Sequence, residues 1–97
     1  MAKLAIVATL KTAPGKRSEY LPHLKAHGQR CRATEPGTLQ FPIMLPHDDP
    51  DTILLYELYE SPEAFQVHWN GPSIKQAQQE TQGLVVSLKG TRCDLVE

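Results

Sequence analysis

An α+β domain of order β-α-β-β-α-(α)-β is the fold this sequence predicts, on three observations. Two runs, Lys3 to Lys11 and Thr52 to Glu60, alternate so that both of their faces are largely apolar, as in strands covered on two sides. Between them, Lys16 to Glu35 places Tyr20, Leu21, Leu24, Gly28 and Cys31 on one stripe at helical spacing. Turn formers at Pro14-Gly15, Pro36-Gly37, Pro46 to Asp51, Ser61-Pro62, Gly71-Pro72, Gly83 and Gly90 cut the chain into short pieces, with no repeat or low-complexity tract. Its 97 residues fit a single domain, residues 1–97, with a thin core.

The elements follow in order. In the first strand Leu4, Ile6, Ala8 and Leu10 share one face, and Ala5, Val7 and Thr9 the other. The first helix contains Pro22, which removes a donor and crowds the preceding turn; the helix therefore kinks there or becomes regular nearer Glu19. Thr38 to Leu45 reads as a second strand, interrupted by Pro42, which places it at a sheet edge or a bulge. His47 to Asp51 forms a hairpin turn. In the third strand Ile53, Leu55, Glu57 and Tyr59 share one face, and Leu54, Tyr56 and Leu58 the other. Ser61 is an N-cap with Pro62 at the first helical position, opening a helix from Pro62 to Asn70. A further helical stretch covers Ser73 to about Gln82, with Leu84, Val85 and Leu88 loosely continuing its stripe. Arg92 to Val96 closes the chain as a fourth strand.

This order is the split βαβ, ferredoxin-like signature: a four-stranded antiparallel sheet with one helical layer. An antiparallel sheet with one wet face should alternate apolar and polar residues. The first and third strands do not, and no sequence remains to cover the second apolar face. A second copy of the chain, sheet against sheet, is expected to supply it, giving a homodimer.

Composition excludes several classes. A net charge of −1 with 22% charged residues creates no strong field for nucleic acid or an anionic membrane. No apolar run approaches the ~18 residues of a membrane helix. The N-terminal apolar run is short and reads as a strand rather than a signal peptide. Cys31 and Cys93 have neither CxxC nor zinc spacing; two free thiols in a cytoplasmic protein are the expectation.

Several residues could carry chemistry. His68 lies on the inward stripe of the second helix beside Ala64 and Phe65, and is followed by Trp69 and Asn70. A histidine can act as general base or acid near neutrality; the alternative is a core-edge histidine bonded to a neighbour. Glu57 is a carboxylate on a strand that otherwise reads as buried, so it needs a partner or takes a raised pKa. An ion pair with Arg92 is one solution. Tyr59 and Tyr20 either point hydroxyls into a pocket or fill core. His23 and His27, four apart, have no third metal ligand at telling spacing, so a solvated surface is expected and no metal. His27 flanks the apolar stripe and could reach a pocket rim. Cys31 reads as a buried thiol. The acidic turn lacks the glycine and closing glutamate of a calcium loop, and neither a phosphate loop nor a GxSxG elbow is present.

The chain resembles an antibiotic biosynthesis monooxygenase (ABM) domain from about Lys3 to Glu97. The resemblance is carried by Pro14-Gly15-Lys16, the turn Glu35-Pro36-Gly37-Thr38-Leu39-Gln40-Phe41, Asp48-Asp49-Pro50-Asp51-Thr52, the run Tyr56-Glu57-Leu58-Tyr59-Glu60-Ser61 leading into Glu63-Ala64-Phe65, and His68 with Pro72. It implies a dimeric α+β barrel with one pocket per subunit. It also implies oxygenation of a small aromatic or quinol substrate by dioxygen with no cofactor, the substrate losing a proton and its carbanion reducing oxygen. His68 matches the first histidine of a pattern resembling His-x-x-x-Pro-His, whose second histidine is here Ser73. In this reading His68 is catalytic, Tyr59, Phe65 and Trp69 form an apolar wall, and Glu57, Asn70 or Arg92 anchor polar groups. Trp69 is similar to a residue of the haem-degrading members, but Leu4 to Lys11 holds no asparagine and no histidine follows Trp69. The alternatives are an isomerase or lyase on a small polar metabolite, as in the similar branch that isomerises a phosphorylated signal, and a non-catalytic small-ligand-binding dimer.

Overall fold

A computed structural model describes residues 2–96. Among the described residues five strands and three helices follow one another: β1 (Leu4–Thr12), α1 (Arg17–Thr34), β2 (Thr38–Gln40), β3 (Ile43–Met44), β4 (Thr52–Tyr59), α2 (Pro62–Trp69), α3 (Pro72–Glu80) and β5 (Val85–Asp94). The sheet runs β2-β4-β1-β5, with β3 also paired to β4, and every pairing is antiparallel. This is the ferredoxin-like arrangement, with the first strand in the middle and the last at an edge.

The sheet has five strands rather than four, because the expected strand Thr38 to Leu45 is broken in two. Proline has no N–H to give a ladder, and the break falls at Phe41-Pro42; the Pro42 carbonyl still accepts from the Tyr56 N–H at 3.1 Å. A second correction concerns β5, which starts at Val85 instead of Arg92. Leu84, Val85 and Leu88 belong to no helix: Gly83 turns the chain at φ +82°, and Leu88 pairs with Leu10 across the sheet. The shift of register between Lys11 and Thr12 leaves Val86 bulged and exposed, which erases the period-two signal at the start of this strand.

The helix α1 runs unbroken from Arg17 through Pro22. Pro22 and Ser18 are both exposed, so the Ser18 carbonyl to which Pro22 cannot donate is open to water. Ser61 caps α2 as its sequence demands, its Oγ accepting from the Ala64 N–H at 3.1 Å, and Pro62 holds the first helical position. Gly28 lets α1 approach the loop after β2: a Cβ there would lie 2.6 Å from a ring carbon of Phe41.

Core packing lies on one face of the sheet. Leu4, Ile6, Ala8 and Leu10 of β1 and Ile53, Leu55 and Tyr59 of β4 meet Tyr20 and Leu24 of α1. The turn into β4 is tied to the start of α1. Asp49 accepts from Thr52 Oγ1 at 2.7 Å, from the Asp51 N–H at 2.9 Å and from Lys11 at 3.2 Å, which together hold its carboxyl down to about 2. Arg17 donates to the Asp49 and Thr52 carbonyls at 3.0 and 3.1 Å.

The opposite face carries Val7, Leu54, Tyr56 and Met44, with Val7 49% and Met44 46% exposed. Ala5 and Leu58 on the same face are buried, while Val7 and Met44 stay open to solvent. No helix among the described residues is long and apolar enough to cross a membrane.

Candidate active site

A cavity of about 560 Å³ lies between the helix-facing side of the sheet and the three helices. Its position follows from local sequence. Ala8 and Gly90 are cross-strand neighbours on that face, so the sheet carries almost no side-chain volume there. Ile6, Leu10 and Leu55 form the floor around them; Tyr20, Leu24 and His27 come from α1; Phe65, His68 and Trp69 come from α2; Ile74 and Ala77 come from α3. Most of this lining is apolar, as in small-molecule sites generally.

His68 is 2% exposed yet lines the cavity. Its Nδ1 lies 2.9 Å from Oε1 of Glu35, which is itself buried and accepts a second bond, from Thr38 Oγ1, at 2.9 Å. With Nδ1 engaged, Nε2 is the ring nitrogen left for a ligand. The carboxylate fixes ring orientation and favours the tautomer in which Nδ1 carries the proton. Tyr59 and His27 flank the imidazole at centroid distances of 5.4 and 5.5 Å.

Glu57 also lines the cavity, and its partner is Tyr59, whose hydroxyl donates to Oε1 at 2.5 Å. Burial pushes the Glu57 carboxyl up, against the Tyr59 hydrogen bond and the charge on His68, which pull it down. Burial also raises Tyr59. The expected Glu57–Arg92 ion pair does not form. Both residues are cross-strand partners of Ile6, on opposite sides of β1, so two strand spacings of about 4.8 Å separate their backbones. Arg92 instead places its guanidinium 5.0 Å above the Phe65 ring, which stacks on Trp69 at 5.9 Å. That aromatic-cation stack forms the rim, where Trp69 is 49% exposed.

Of the residues singled out from sequence, the structure brings His68, Glu57, Phe65, Trp69, Arg92, Tyr20 and His27 to the cavity. Tyr59 stands behind it, fully buried against Phe65 and His68. Asn70 is not on the lining: it is the exposed C-cap of α2, its amide 3.5 Å from the Gln66 side chain. His27 is buried rather than solvated, edge-on to Phe41 at 5.5 Å, whereas His23 stays half-exposed, 3.9 Å from Glu80. Burial first, then the charges on His68 and Arg30, push His27 down to about 4, so its imidazole is neutral near pH 7. Cys31 is a buried free thiol, pushed up to about 12 mainly by burial and by the Glu35 carboxylate. Glu35 was not foreseen. It lies 33 residues from His68, and no local spacing links the two; its place before Pro36-Gly37 marks only a helix end.

Comparisons with known proteins bear on the fold and the family. No protein of curated function matches the chain. Among solved structures, a Caulobacter crescentus protein provisionally named an antibiotic biosynthesis monooxygenase is 25% identical and has a TM-score of 0.89, covering 99% of this chain and 92% of its own. PA3566 of Pseudomonas aeruginosa is 21% identical with a TM-score of 0.89, covering 100% and 97%. Protein SO0527 of Shewanella oneidensis is 20% identical with a TM-score of 0.86, covering 97% and 91%. The last two likenesses show the fold. The profile described as antibiotic biosynthesis monooxygenase matches residues 4–80, most of the sequence, and on that match the chain belongs to the ABM family.

Proposed function

We propose that this monooxygenase-like protein oxygenates a small aromatic or quinol substrate with dioxygen and no cofactor, in the cavity beside His68. The observation that carries the reading is the buried Glu35–His68 pair at the wall of a mostly apolar cavity. Nδ1 is held by the carboxylate, so Nε2 accepts the proton that an acidic C–H or hydroxyl of the substrate gives up. The substrate anion then reduces dioxygen. One oxygen atom enters the substrate, a methylene becoming a carbonyl, and the other leaves as water. The Phe65–Trp69 stack and the aliphatic floor hold the ring and keep bulk water away. Glu57 and Arg92 on the lining offer polar contacts.

The protein works as a homodimer in this reading. Val7, Met44, Leu54 and Tyr56 form an apolar sheet face that a second copy would cover. General base catalysis is typically worth ~10²–10⁴ in rate. Oxygen consumption over a panel of anthrones, naphthols and quinols is the test: His68→Ala is expected to lose activity by that factor while remaining folded by circular dichroism. Undiminished turnover in that variant would remove His68 from the mechanism. The isomerase alternative requires basic contacts for phosphate, and Arg92 is the single Lys or Arg on the cavity lining, already engaged with Phe65. Turnover in the absence of oxygen would favour it.

A further inference from the structure

We propose that His27, Cys31 and His68 form a three-ligand site for a borderline-soft divalent cation of the Zn²⁺ type, with the fourth position open to the cavity. One ligand atom from each of these three residues, a ring nitrogen of each histidine and the Cys31 Sγ, lies within 4.8 Å of the other two. Tetrahedral Zn²⁺ with Zn–N near 2.0 Å and Zn–S near 2.3 Å spaces its ligand atoms by about 3.3–3.6 Å. The Cys31 Sγ already stands 3.6 and 3.7 Å from the two His27 ring nitrogens. The widest separation in the set, at most 4.8 Å, must shorten by about an ångström to reach that spacing.

Three further features fit a metal centre. His27 and Cys31 are one helical turn apart on α1, so a rigid element presents two of the ligands together. His68 donates Nδ1–H to Glu35, the carboxylate–histidine arrangement that supports a metal-bound imidazole. His27 is buried edge-on to Phe41, which holds its ring in place. Two imidazoles with one thiolate are a donor set for zinc rather than for a hard cation such as magnesium. The Cys31 thiolate and the Glu35 carboxylate together match the two charges of the cation, leaving Arg30 as the one excess positive charge nearby.

Binding changes no oxidation state. The Cys31 S–H bond breaks, an S–Zn bond forms, and the proton passes to solvent through the cavity. Occupancy takes Nε2 of His68, so the cation would inhibit any chemistry in which that nitrogen is the base. The site itself does not depend on the oxygenase reading, because its test reads binding.

The test uses tag-free full-length protein, stripped with a chelator and titrated with Co²⁺, then Zn²⁺. The expected result is one Co²⁺ per chain, a thiolate-to-cobalt charge-transfer band and tetrahedral visible bands, all displaced by Zn²⁺. Cys93→Ser should keep the charge-transfer band and Cys31→Ser should lose it. His27→Gln should lose the tetrahedral spectrum. Glu35→Gln should retain the band with Zn²⁺ binding about 10–100-fold weaker. Absence of the charge-transfer band in the wild-type protein overturns the proposal whatever the variants do. So does a band that follows Cys93, or Zn²⁺ affinity unchanged in both Cys31→Ser and His27→Gln.

Discussion

Removing a single oxygen atom from Tyr59 should destabilise this protein far more than its size suggests. Tyr59 is 0% exposed, and its hydroxyl donates to the buried Glu57 carboxyl. In Tyr59→Phe the ring still fills its place against Phe65 and His68, so the packing contribution is unchanged. What is lost is one hydrogen bond to an ionisable acceptor, worth about 1.5–3 kcal/mol, and Glu57 is left without that donor. Taking about 2 kcal/mol, the melting temperature of a domain this size should fall by roughly 8–16 °C. The assay is urea unfolding at one fixed protein concentration, since association would otherwise shift apparent stability. A double-mutant cycle with Glu57→Leu isolates the pair. Each single change leaves a buried polar group unpaired, whereas the double variant removes both, so the cycle should show a coupling of at least about 1 kcal/mol. If Tyr59→Phe stays within about 0.5 kcal/mol of wild type, a change typical of surface sites, and the two effects simply add, the buried-pair argument is refuted.

Other expectations rest on different parts of the fold. The Asp49 carboxyl is held below its ordinary value by Thr52, the Asp51 N–H and Lys11, so it stabilises the fold above about pH 3.8 and that contribution is lost as pH falls through about 2. Acid-unfolding curves of Asp49→Asn should lack this component; curves superimposable on wild type would contradict it. Glu57 has the opposite sign, because its folded carboxyl is raised: stability falls as pH rises above the unfolded value of 4.5. Glu57→Gln should therefore gain on the wild type with rising pH, as read by thermal melts across that range. Gly28→Ala must push Phe41 aside, a clash of the overpacking kind costing ~1–3 kcal/mol in denaturant unfolding. Light scattering at micromolar concentration should give a dimer for the wild type and a monomer for Val7→Lys, which places a charge on the open sheet face.

Particular residues show how far the sequence alone reaches. Ser61-Pro62 marked the start of α2, and Pro14-Gly15 and Pro36-Gly37 bracketed α1, because capping and proline chemistry act within a few residues. Gly90 was misleading. It reads locally as a breaker, yet it lies within β5 where its missing side chain helps open the cavity. Pro22 also looked worse locally than it is, since its cost depends on which side of the helix meets solvent.

Which residues face inward on β1 and β4, and on α1 apart from His27, was determined by periodicity, since period two and period 3.6 are backbone properties. The βαββαβ order and the place of His68 on the inward stripe of α2 followed from that, whereas the family resemblance rested on the motifs at the turns and helix starts. What surrounds His68 was decided by tertiary structure alone. Glu35 arrives from the far end of α1, and His27 and Cys31 turn toward the same imidazole, because α1 and α2 pack on one sheet face. Those contacts span more than thirty residues of chain. A local pattern carries no record of such distances; only the closing of the sheet fixes them.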